Sequence, residues 1–377
     1  MSGSGLGLVA TRRAVVFTPD DPLVLASGAT LGPVEVAYET YGDLAPGRDN
    51  VVVLCHALTG DAHAAGHHGD PARRGWWDSL VGPGRAVDTD RFFVVCANLL
   101  GGCQGTTGPQ STDPATGKPY GPDFPPLAMT DLVTVHRRLL DHLGIERVHA
   151  VVGGSLGGMQ ALQWAVDSPE QVDRAVVVAA SSRLSAQNIA FSSVAREAIM
   201  RDPDFAGGRY AGTGRSPAVG LAVARMMAHI TYVSEESLER KFGRRRTSDG
   251  PPQLATDFEV EAYLDHQGRV FLERFDALTY LYLSRVMDYF DPFPEGPAGD
   301  GALARVAGGT TRFLALSFDT DWRFPTSHSR RIHEQLSAAG VPCEHQELAS
   351  PWGHDSFLLQ PPGYHDRVRT FLEQDRA

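Results

Sequence analysis

Short apolar runs separated by helical patterns dominate the chain from about residue 50 to residue 180. Four of these runs are almost continuously apolar, as strands of a parallel sheet are when both faces are covered; they are residues 51–55, 91–96, 148–152 and 174–179. Residues 129–143 repeat apolar positions at helical spacing, with Thr130 and Asp131 as expected capping residues and Gly144 at the end. The alternation predicts an α/β fold on a mostly parallel, doubly wound sheet.

The pattern changes after Ser182 and returns to strand-like runs near residue 306. In between, residues 218–230 carry an apolar stripe at helical spacing and residues 257–289 show a helical pattern again. One segment without such a pattern separates these two regions, and another follows the second. The first, residues 243–252, is expected to be an exposed loop with solvated arginines, and the second, residues 292–309, a connector rich in proline and glycine.

A strand over residues 312–317, a helix over 327–339 and a last strand over 343–348 complete the pattern. We therefore expect an α/β core of residues 1–183 and 306–377 with a helical lid insertion of residues 184–305.

Composition narrows the possible functions. The chain has 377 residues, of which 42% are hydrophobic and 21% charged, as expected for a globular protein with a sizeable core. Its net charge of -11 argues against nucleic acid as a partner, because binding phosphates needs a basic surface. The four cysteines are too irregularly spaced for a disulfide framework. No stretch resembles a membrane span or an export signal, so we expect a cytoplasmic protein that does not bind membranes.

Candidate chemistry centres on Ser155. The sequence Gly153-Gly-Ser-Leu-Gly157 joins an apolar run to a helical segment, which is the strand, turn and helix context of a nucleophile elbow. Glycines at both ends of the motif fit, because side chains there would collide with neighbouring backbone in so sharp a turn. Glycine-rich turns also cradle phosphates or simply turn the chain, but the flanking segments favour a nucleophile.

A serine nucleophile needs a base and an acid that orients the base. In α/β-hydrolase proteins the order along the chain is serine, acid, histidine, with the histidine after the last strand. His354 lies there, on a turn that contains glycine, and is the candidate base. Asp319 and Asp321 both follow the strand predicted at residues 312–317, and spacing alone does not choose between them.

The negative charge of a tetrahedral intermediate requires two preorganised donors. We expect one to be the backbone N–H of Leu156 and the other that of Leu58, in the loop after the first buried strand. Several histidines and aspartates lie in and after the same loop, but they lack the spacing of a helix-borne metal pair, so no metal is expected.

Longer motifs surround these candidates between about Val34 and Phe371. They are residues 38–42 (YETYG), 56–61 (HALTGD), 75–78 (GWWD), 81–84 (VGPG), 98–109 (NLLGGCQGTTGP), 153–160 (GGSLGGMQ) and 353–357 (GHDSF). In this combination the chain resembles the homoserine O-acetyltransferases, which have the α/β-hydrolase fold. The resemblance implies a ping-pong transfer of acetyl from acetyl-CoA, a co-substrate, through Ser155 to the hydroxyl of L-homoserine in methionine biosynthesis, without a cofactor.

The same resemblance assigns further residues. It makes Asp321 the acid of the triad, because residues 317–321 match the family's S-x-x-T-D motif. It places Arg225 at the substrate carboxylate, Asp355 at the substrate amino group and Tyr232 in the substrate-binding segment, and it implies a homodimer formed through the helical lid. A guanidinium and a carboxylate suit the two charges of an amino acid.

Three alternatives stay open at this point. A homoserine or serine O-succinyltransferase of the same fold would share all these features, and a serine esterase would share the triad and the elbow. A binding protein that has lost turnover is the alternative outside enzymes.

Overall fold

One eight-stranded sheet organises the chain, which a computed structural model describes at residues 5–252 and 254–374. Its strands are β1 (Arg12–Phe17), β2 (Val34–Tyr41), β3 (Val51–Cys55), β4 (Phe93–Ala97), β5 (Ala150–Gly154), β6 (Arg174–Val178), β7 (Arg312–Phe318) and β8 (Cys343–Leu348). They lie in the order β1-β2-β4-β3-β5-β6-β7-β8. Strand β2 pairs antiparallel with β1 and β4, and the pairs from β4 to β8 are parallel. The mostly parallel sheet predicted from the sequence is confirmed.

The central strands read as continuous apolar runs because each of their faces meets a separate core. In β3, Val51 and Val53 belong to one buried cluster, whereas Val52 and Leu54 belong to a second cluster on the opposite face. Burial of both faces removes the alternation of polar and apolar residues that a half-exposed strand would show.

Ten α-helices lie within the described residues. They are α1 (Met129–His142), α2 (Leu156–Asp167), α3 (Ala186–Met200), α4 (Ala218–Tyr232), α5 (Glu235–Lys241), α6 (Glu259–Leu272), α7 (Ala277–Tyr289), α8 (Pro297–Ala307), α9 (Thr326–Ala338) and α10 (Tyr364–Glu373). Helices α1, α2 and α9 contribute to the first core cluster, and α10 contributes to the second. Within the described part of the chain, none of the helices combines the length and the apolar character that a membrane crossing needs.

Helices α3 to α7 follow β6 and form a layer that we call the lid. Helix α4 lies between α3 and α6. The crossing with α3 is close at Gly220, where an added Cβ would lie 2.3 Å from the carbonyl oxygen of Ala198. The division of the chain at residues 184 and 305 stays a prediction, and α8, which crosses the second of these boundaries, packs on the core helices α2 and α9.

The prediction of a connector over residues 292–309 is wrong, because α8 lies within this segment. Its first residue is Pro297, a position where the missing N–H costs nothing and the fixed φ suits a helix. Glycines at 299 and 301 hide this helix from a reading based on composition.

The arginines of residues 243–252 are not a freely solvated patch. Arg245 pairs with Glu259 at 2.7 Å and Arg246 pairs with Asp257 at 2.9 Å. These ion pairs tie the loop to the start of α6, because both acidic partners lie at or just before its first residue.

Two further details depart from expectation. Asp131, the third residue of α1, caps the helix through its Oδ2 atom, which accepts the N–H of Ala128 at 2.7 Å, whereas Thr130, the second residue, is not the capping residue that was expected. Strands β1 and β2, which the sequence pattern did not predict, extend the sheet at its antiparallel edge.

Candidate active site

Ser155 occupies the sharp turn between β5 and α2. Its backbone has φ 58° and ψ -124°, a region that non-glycine residues rarely adopt. An added Cβ on Gly153 would lie 2.1 Å from the carbonyl oxygen of Gly157, and one on Gly157 would lie 1.9 Å from that of Cys55. The two glycines therefore allow the close approach of three backbone segments that holds the serine above the carboxyl end of the sheet.

A row of hydrogen bonds connects Ser155 to a histidine and an acid. The Nε2 atom of His354 lies 2.9 Å from the Oγ atom of Ser155, and its Nδ1 atom lies 2.8 Å from the Oδ2 atom of Asp321. The other carboxylate oxygen of Asp321 accepts the backbone N–H groups of Arg323 and Phe324 at 3.0 and 2.9 Å. Hydrogen bonds therefore hold both oxygens of the Asp321 carboxylate. Ser155, His354 and Asp321, the three predicted residues, are all buried.

Asp319 has a different task from Asp321. Its Oδ1 atom accepts the backbone N–H of Ser350 at 2.8 Å, which ties the end of β7 to the segment that follows β8. The geometry therefore selects Asp321 as the partner of His354, in agreement with the choice made by resemblance, and leaves Asp319 to position the turn that carries the histidine.

Three aromatic rings surround the imidazole of His354. The centroids of Tyr232, Phe324 and Phe357 lie 5.8, 5.1 and 5.3 Å from that of the histidine. These rings exclude water from the base, which strengthens its hydrogen bonds to the serine and the acid.

A cavity of about 490 Å³ opens over Ser155. Its wall on the core side comes from the loop after β3, and its wall on the lid side includes Arg225, Tyr232 and Arg274. The turn after β8 adds His354 and Asp355. A larger depression of about 680 Å³ beside α5 contains none of these residues, so the chemistry belongs to the smaller cavity.

Two opposite charges line this cavity beside the serine. Arg225, on α4, forms no ion pair in the described residues, and its buried Nε atom has no hydrogen-bond partner there. Its guanidinium lies 5.0 and 5.7 Å from the ring centroids of Phe271 and Tyr232. Burial raises the pKa of Asp355 to about 6, although His354 and Arg225 act to lower it. The site therefore offers a cation and a titratable carboxyl group to a ligand.

The two residues predicted as oxyanion donors lie on different segments near the serine. Leu156 is the first residue of α2, so its backbone N–H has no acceptor within the helix. Leu58 lines the cavity in the loop of residues 56–68, which we call the β3 loop. Leu58 thus lies at the cavity of Ser155, whereas Leu156 is buried directly after the serine, and the role of both as oxyanion donors stays a prediction.

Buried polar side chains hold the β3 loop in place. His56 receives the backbone N–H of Leu99 on Nε2 at 3.1 Å, and its Nδ1 lies 2.8 Å from the carbonyl oxygen of Ala57. Burial lowers the pKa of His56, and its Nε2 atom accepts a backbone N–H as only a neutral ring can, so the side chain is structural. Gln160 on α2 donates to the carbonyl oxygen of His56 at 3.1 Å, which fixes the loop against the elbow.

Glu39 forms a second anchor for the β3 loop. Its carboxylate lies 3.0 Å from Nδ1 of His63 and 2.7 Å from Nε2 of His68. Burial acts to raise the pKa of Glu39, but hydrogen bonds from these histidines, Thr11 and Tyr41 outweigh it and lower the pKa. The three ligand-type atoms lie within 4.8 Å of one another, yet they already satisfy one another, and the absence of a metal stays a prediction.

Three arginines of the cavity, Arg73, Arg74 and Arg274, were not predicted as site residues, and Trp76 was quoted only as part of the GWWD motif. Arg274 lies in the turn between α6 and α7 and donates to the carbonyl oxygen of Thr59 at 2.7 Å. Burial and the nearby charge of Arg225 lower the pKa of its guanidinium. Arg73 and Arg74 could have been noticed in the sequence, because they directly precede the GWWD motif of residues 75–78.

The strand order, the elbow and the serine, histidine and aspartate geometry define an α/β-hydrolase-fold protein. The family model for the alpha/beta hydrolase fold matches residues 50–361. A solved homoserine O-acetyltransferase from Bacillus anthracis superposes with a TM-score of 0.90 at 29% identity, covering 98% of this chain and 99% of that one.

Curated relatives narrow the class. The chain is 64% identical to a homoserine O-succinyltransferase of a Nocardioides species, over 99% of this chain and 100% of the relative. It is 51% identical to a homoserine O-acetyltransferase of Rhodospirillum rubrum, over 96% of this chain and 93% of the relative. The chain therefore belongs to the homoserine O-acyltransferase family, a group of acyltransferases with the α/β hydrolase fold.

Proposed function

We propose that the protein transfers an acyl group from an acyl-CoA thioester to the side-chain hydroxyl of L-homoserine, as a step of methionine biosynthesis. The observation that carries the proposal is the placement of Arg225 and Asp355 in the cavity of Ser155. A free amino acid presents a carboxylate and an ammonium group, which a guanidinium and a carboxylate would hold. Binding at both ends would direct the side-chain hydroxyl at the acylated serine.

The first half-reaction uses the serine, histidine and aspartate row. His354 accepts the proton of Ser155 Oγ while the oxygen attacks the thioester carbonyl, and Asp321 stabilises the resulting imidazolium. The backbone N–H groups of Leu156 and Leu58 receive the negative charge of the tetrahedral intermediate. Collapse of the intermediate breaks the carbon–sulfur bond, CoA leaves as the thiol with the proton from His354, and the acyl-serine remains.

In the second half-reaction homoserine takes the place of CoA. His354 removes the proton of the homoserine hydroxyl while the hydroxyl oxygen attacks the acyl carbonyl. When the tetrahedral intermediate collapses, the ester is released and His354 returns the proton to the Oγ atom of Ser155. Arg225 and Asp355 hold the amino acid, and the ring of Tyr232 forms the wall between the guanidinium and the base. The lid restricts access of water, which would otherwise hydrolyse the acyl-serine.

For the donor, acetyl-CoA stays the prediction made from the sequence, and succinyl-CoA is the second candidate. Two features favour succinyl: the 64% identical relative carries that name, and Arg274 adds a second guanidinium on the lid side of the cavity. A free carboxylate at the end of the acyl group would pair with such a guanidinium. The same cavity would hold an acetyl group without this contact.

The experiment is a thiol-release assay with acetyl-CoA or succinyl-CoA and with homoserine, serine or no acceptor. We expect a burst of one thiol per active site without acceptor and sustained release only with homoserine. Equal sustained release without any acceptor would identify a hydrolase and contradict the proposal. The ratio of kcat/KM for the two donors decides between acetyl and succinyl, and Ser155→Ala should abolish both phases.

A homodimer formed through the lid is also proposed. Helix α4 buries Leu221, Ala224 and Ala228, whereas Val219 and Val223 on its other side are exposed. Val194 on α3 is exposed as well. An exposed apolar strip of this kind favours an interface between copies of the chain. The cytoplasmic location expected from the sequence stays a prediction.

A further inference from the structure

The cavity over Ser155 is cationic, whereas the chain as a whole is acidic. Four arginines and two aspartates line the cavity, in a protein with a net charge of -11. Clustered charge of one sign in a cleft focuses the electric field and concentrates ligands of the opposite sign. Arg225 and Asp355, which are proposed to bind homoserine, carry opposite charges that cancel. The excess positive charge of the cavity therefore comes from its other arginines.

Part of this excess lies at the cavity opening. Arg73 and Arg74 line the cavity and are both exposed, with 89% of the Arg73 side chain accessible. Arg225, by contrast, comes from the lid side and is partly buried, and Arg274, also from the lid side, is exposed but donates to the carbonyl oxygen of Thr59. The arginine pair is therefore at the entrance, on the side of the β3 loop.

The backbone holds the arginine pair at this place. Directly after it, Gly75 packs so closely on the β3 loop that an added Cβ would lie 2.2 Å from the backbone nitrogen of Ala65. The backbone N–H groups of Gly75 and Trp77 donate to the carbonyl oxygens of Gly66 and Ala64 at 3.0 and 2.8 Å. The arginines thus project from an anchored segment.

Contacts within the protein leave both guanidinium groups available. Arg73 has only a long ion pair of 3.6 Å with exposed Asp70, and Arg74 has no ion pair within the described residues. An exposed pair of this kind contributes little to folding. Inside the entrance, Trp76 lines the wall, with its indole N–H donating to the carbonyl oxygen of Asp61 at 2.9 Å.

We propose that Arg73 and Arg74 bind the phosphate groups of the acyl-CoA donor and that its flexible arm runs along Trp76 to Ser155. The inference rests on the proposed function, because it assigns the donor's path in the same cavity. Guanidinium groups match phosphate oxygens in charge and geometry. The donor would then enter on the β3-loop side and the amino acid would bind on the lid side, so that both substrates reach the same serine in turn.

The test is equilibrium binding of CoA and of pantetheine, the same arm without the nucleotide and its phosphates, measured by calorimetry. Ser155→Ala serves as the background so that turnover does not interfere. The double variant Arg73→Ala/Arg74→Ala should weaken CoA binding by about five- to thirtyfold, as two exposed ion pairs allow, and should leave pantetheine binding unchanged. Added salt should weaken CoA binding to the background protein more than to the double variant.

The matched control is Arg330→Ala/Arg331→Ala, an adjacent arginine pair on α9 that does not line the cavity. It should change neither affinity. Unchanged CoA affinity in the double variant, equal loss for CoA and pantetheine, or no CoA binding by the background protein would each overturn the inference. The proposed function fails separately, if the wild-type protein shows no homoserine-dependent thiol release although CoA binding depends on the arginines.

Discussion

At the scale of single residues, chemistry depends on which donors surround a carboxylate. Asp319 and Asp321 are two positions apart and follow the same strand, yet one accepts a backbone N–H and the other faces the imidazole of His354. The difference follows from the turn after β7, which directs the two side chains to different neighbours. Paired substitutions at these positions therefore separate catalysis from structure.

Asp321→Asn should lower the rate of the thiol-release burst by about 10³- to 10⁴-fold, because an amide favours the wrong tautomer of the histidine. Asp319→Asn keeps an oxygen that accepts the N–H of Ser350, so its burst rate should equal that of the wild type. Stopped-flow detection of thiol gives both rates. Similar losses in the two variants would contradict the assignment of Asp321 as the acid.

The pKa of Asp355 predicts how homoserine binding depends on pH. Burial raises this pKa to about 6, and only the ionised carboxylate can pair with the ammonium group. Lowering the pH through 6 should therefore reduce kcat/KM for homoserine by up to about tenfold per pH unit. The burst amplitude without acceptor should not follow this titration, because acylation does not use Asp355.

Asp355→Asn is the control for the pH dependence. It should lower kcat/KM for homoserine at pH 8 and remove the dependence that the carboxyl group causes. If the wild type and the Asp355→Asn variant gave pH profiles of the same shape between pH 5 and pH 7, another group would be responsible.

At the scale of secondary structure, α8 shows what two glycines do in one helix. An added Cβ on Gly301 meets no heavy atom of the described residues within 4 Å, whereas one on Gly299 would lie 1.9 Å from the carbonyl oxygen of Pro294. Gly301→Ala should raise the free energy of unfolding by about 0.5–1 kcal/mol through helix propensity. Gly299→Ala should lower it by about 1–3 kcal/mol through overpacking. Chemical denaturation followed by circular dichroism measures both, and stabilisation by both alanines would contradict the packing described for this helix.

The same helix shows where sequence patterns stop being informative. Strands such as β3 were predictable because burial on both faces leaves a continuous apolar run. Helix α8 was not, because proline and glycine are ordinarily signs of a connector. Strands β1 and β2 were missed because their place at the antiparallel edge of the sheet depends on pairing with distant residues.

The residues of the candidate site also fall into those that the sequence could predict and those that it could not. Ser155, Asp321 and His354 could be named because each follows a strand in a fixed order, and the resemblance chose between the two aspartates. Arg274 and Glu39 could not, because their contacts join segments that are 215 residues apart for Thr59 and Arg274 and 24 apart for Glu39 and His63. Only the fold brings such residues together.

At the scale of the whole molecule, the lid has two faces with different tasks. Its inner face places Arg225 over the serine, and its outer face presents apolar side chains on α4. Val219, Val223 and Ile230 are 74%, 44% and 38% exposed, and their spacing of four and seven residues places them on one side of the helix. A monomer would leave this strip in water, so we expect two copies to cover it.

Light scattering coupled to size exclusion should therefore give a mass twice the 40.7 kDa of one chain. The double variant Val219→Glu/Val223→Glu should run as a monomer, because it places two like charges in each half of a symmetric contact. Val24→Glu is the control, since this exposed residue lies in the short strand Leu23–Val24, far from the lid in sequence. A wild-type protein that is monomeric at micromolar concentration, or a lid variant that stays dimeric, would show that the apolar strip on α4 does not join two copies. The variant could also lose homoserine turnover while its acylation burst persists. This result would mean that the contact between copies holds α4 where Arg225 can bind homoserine.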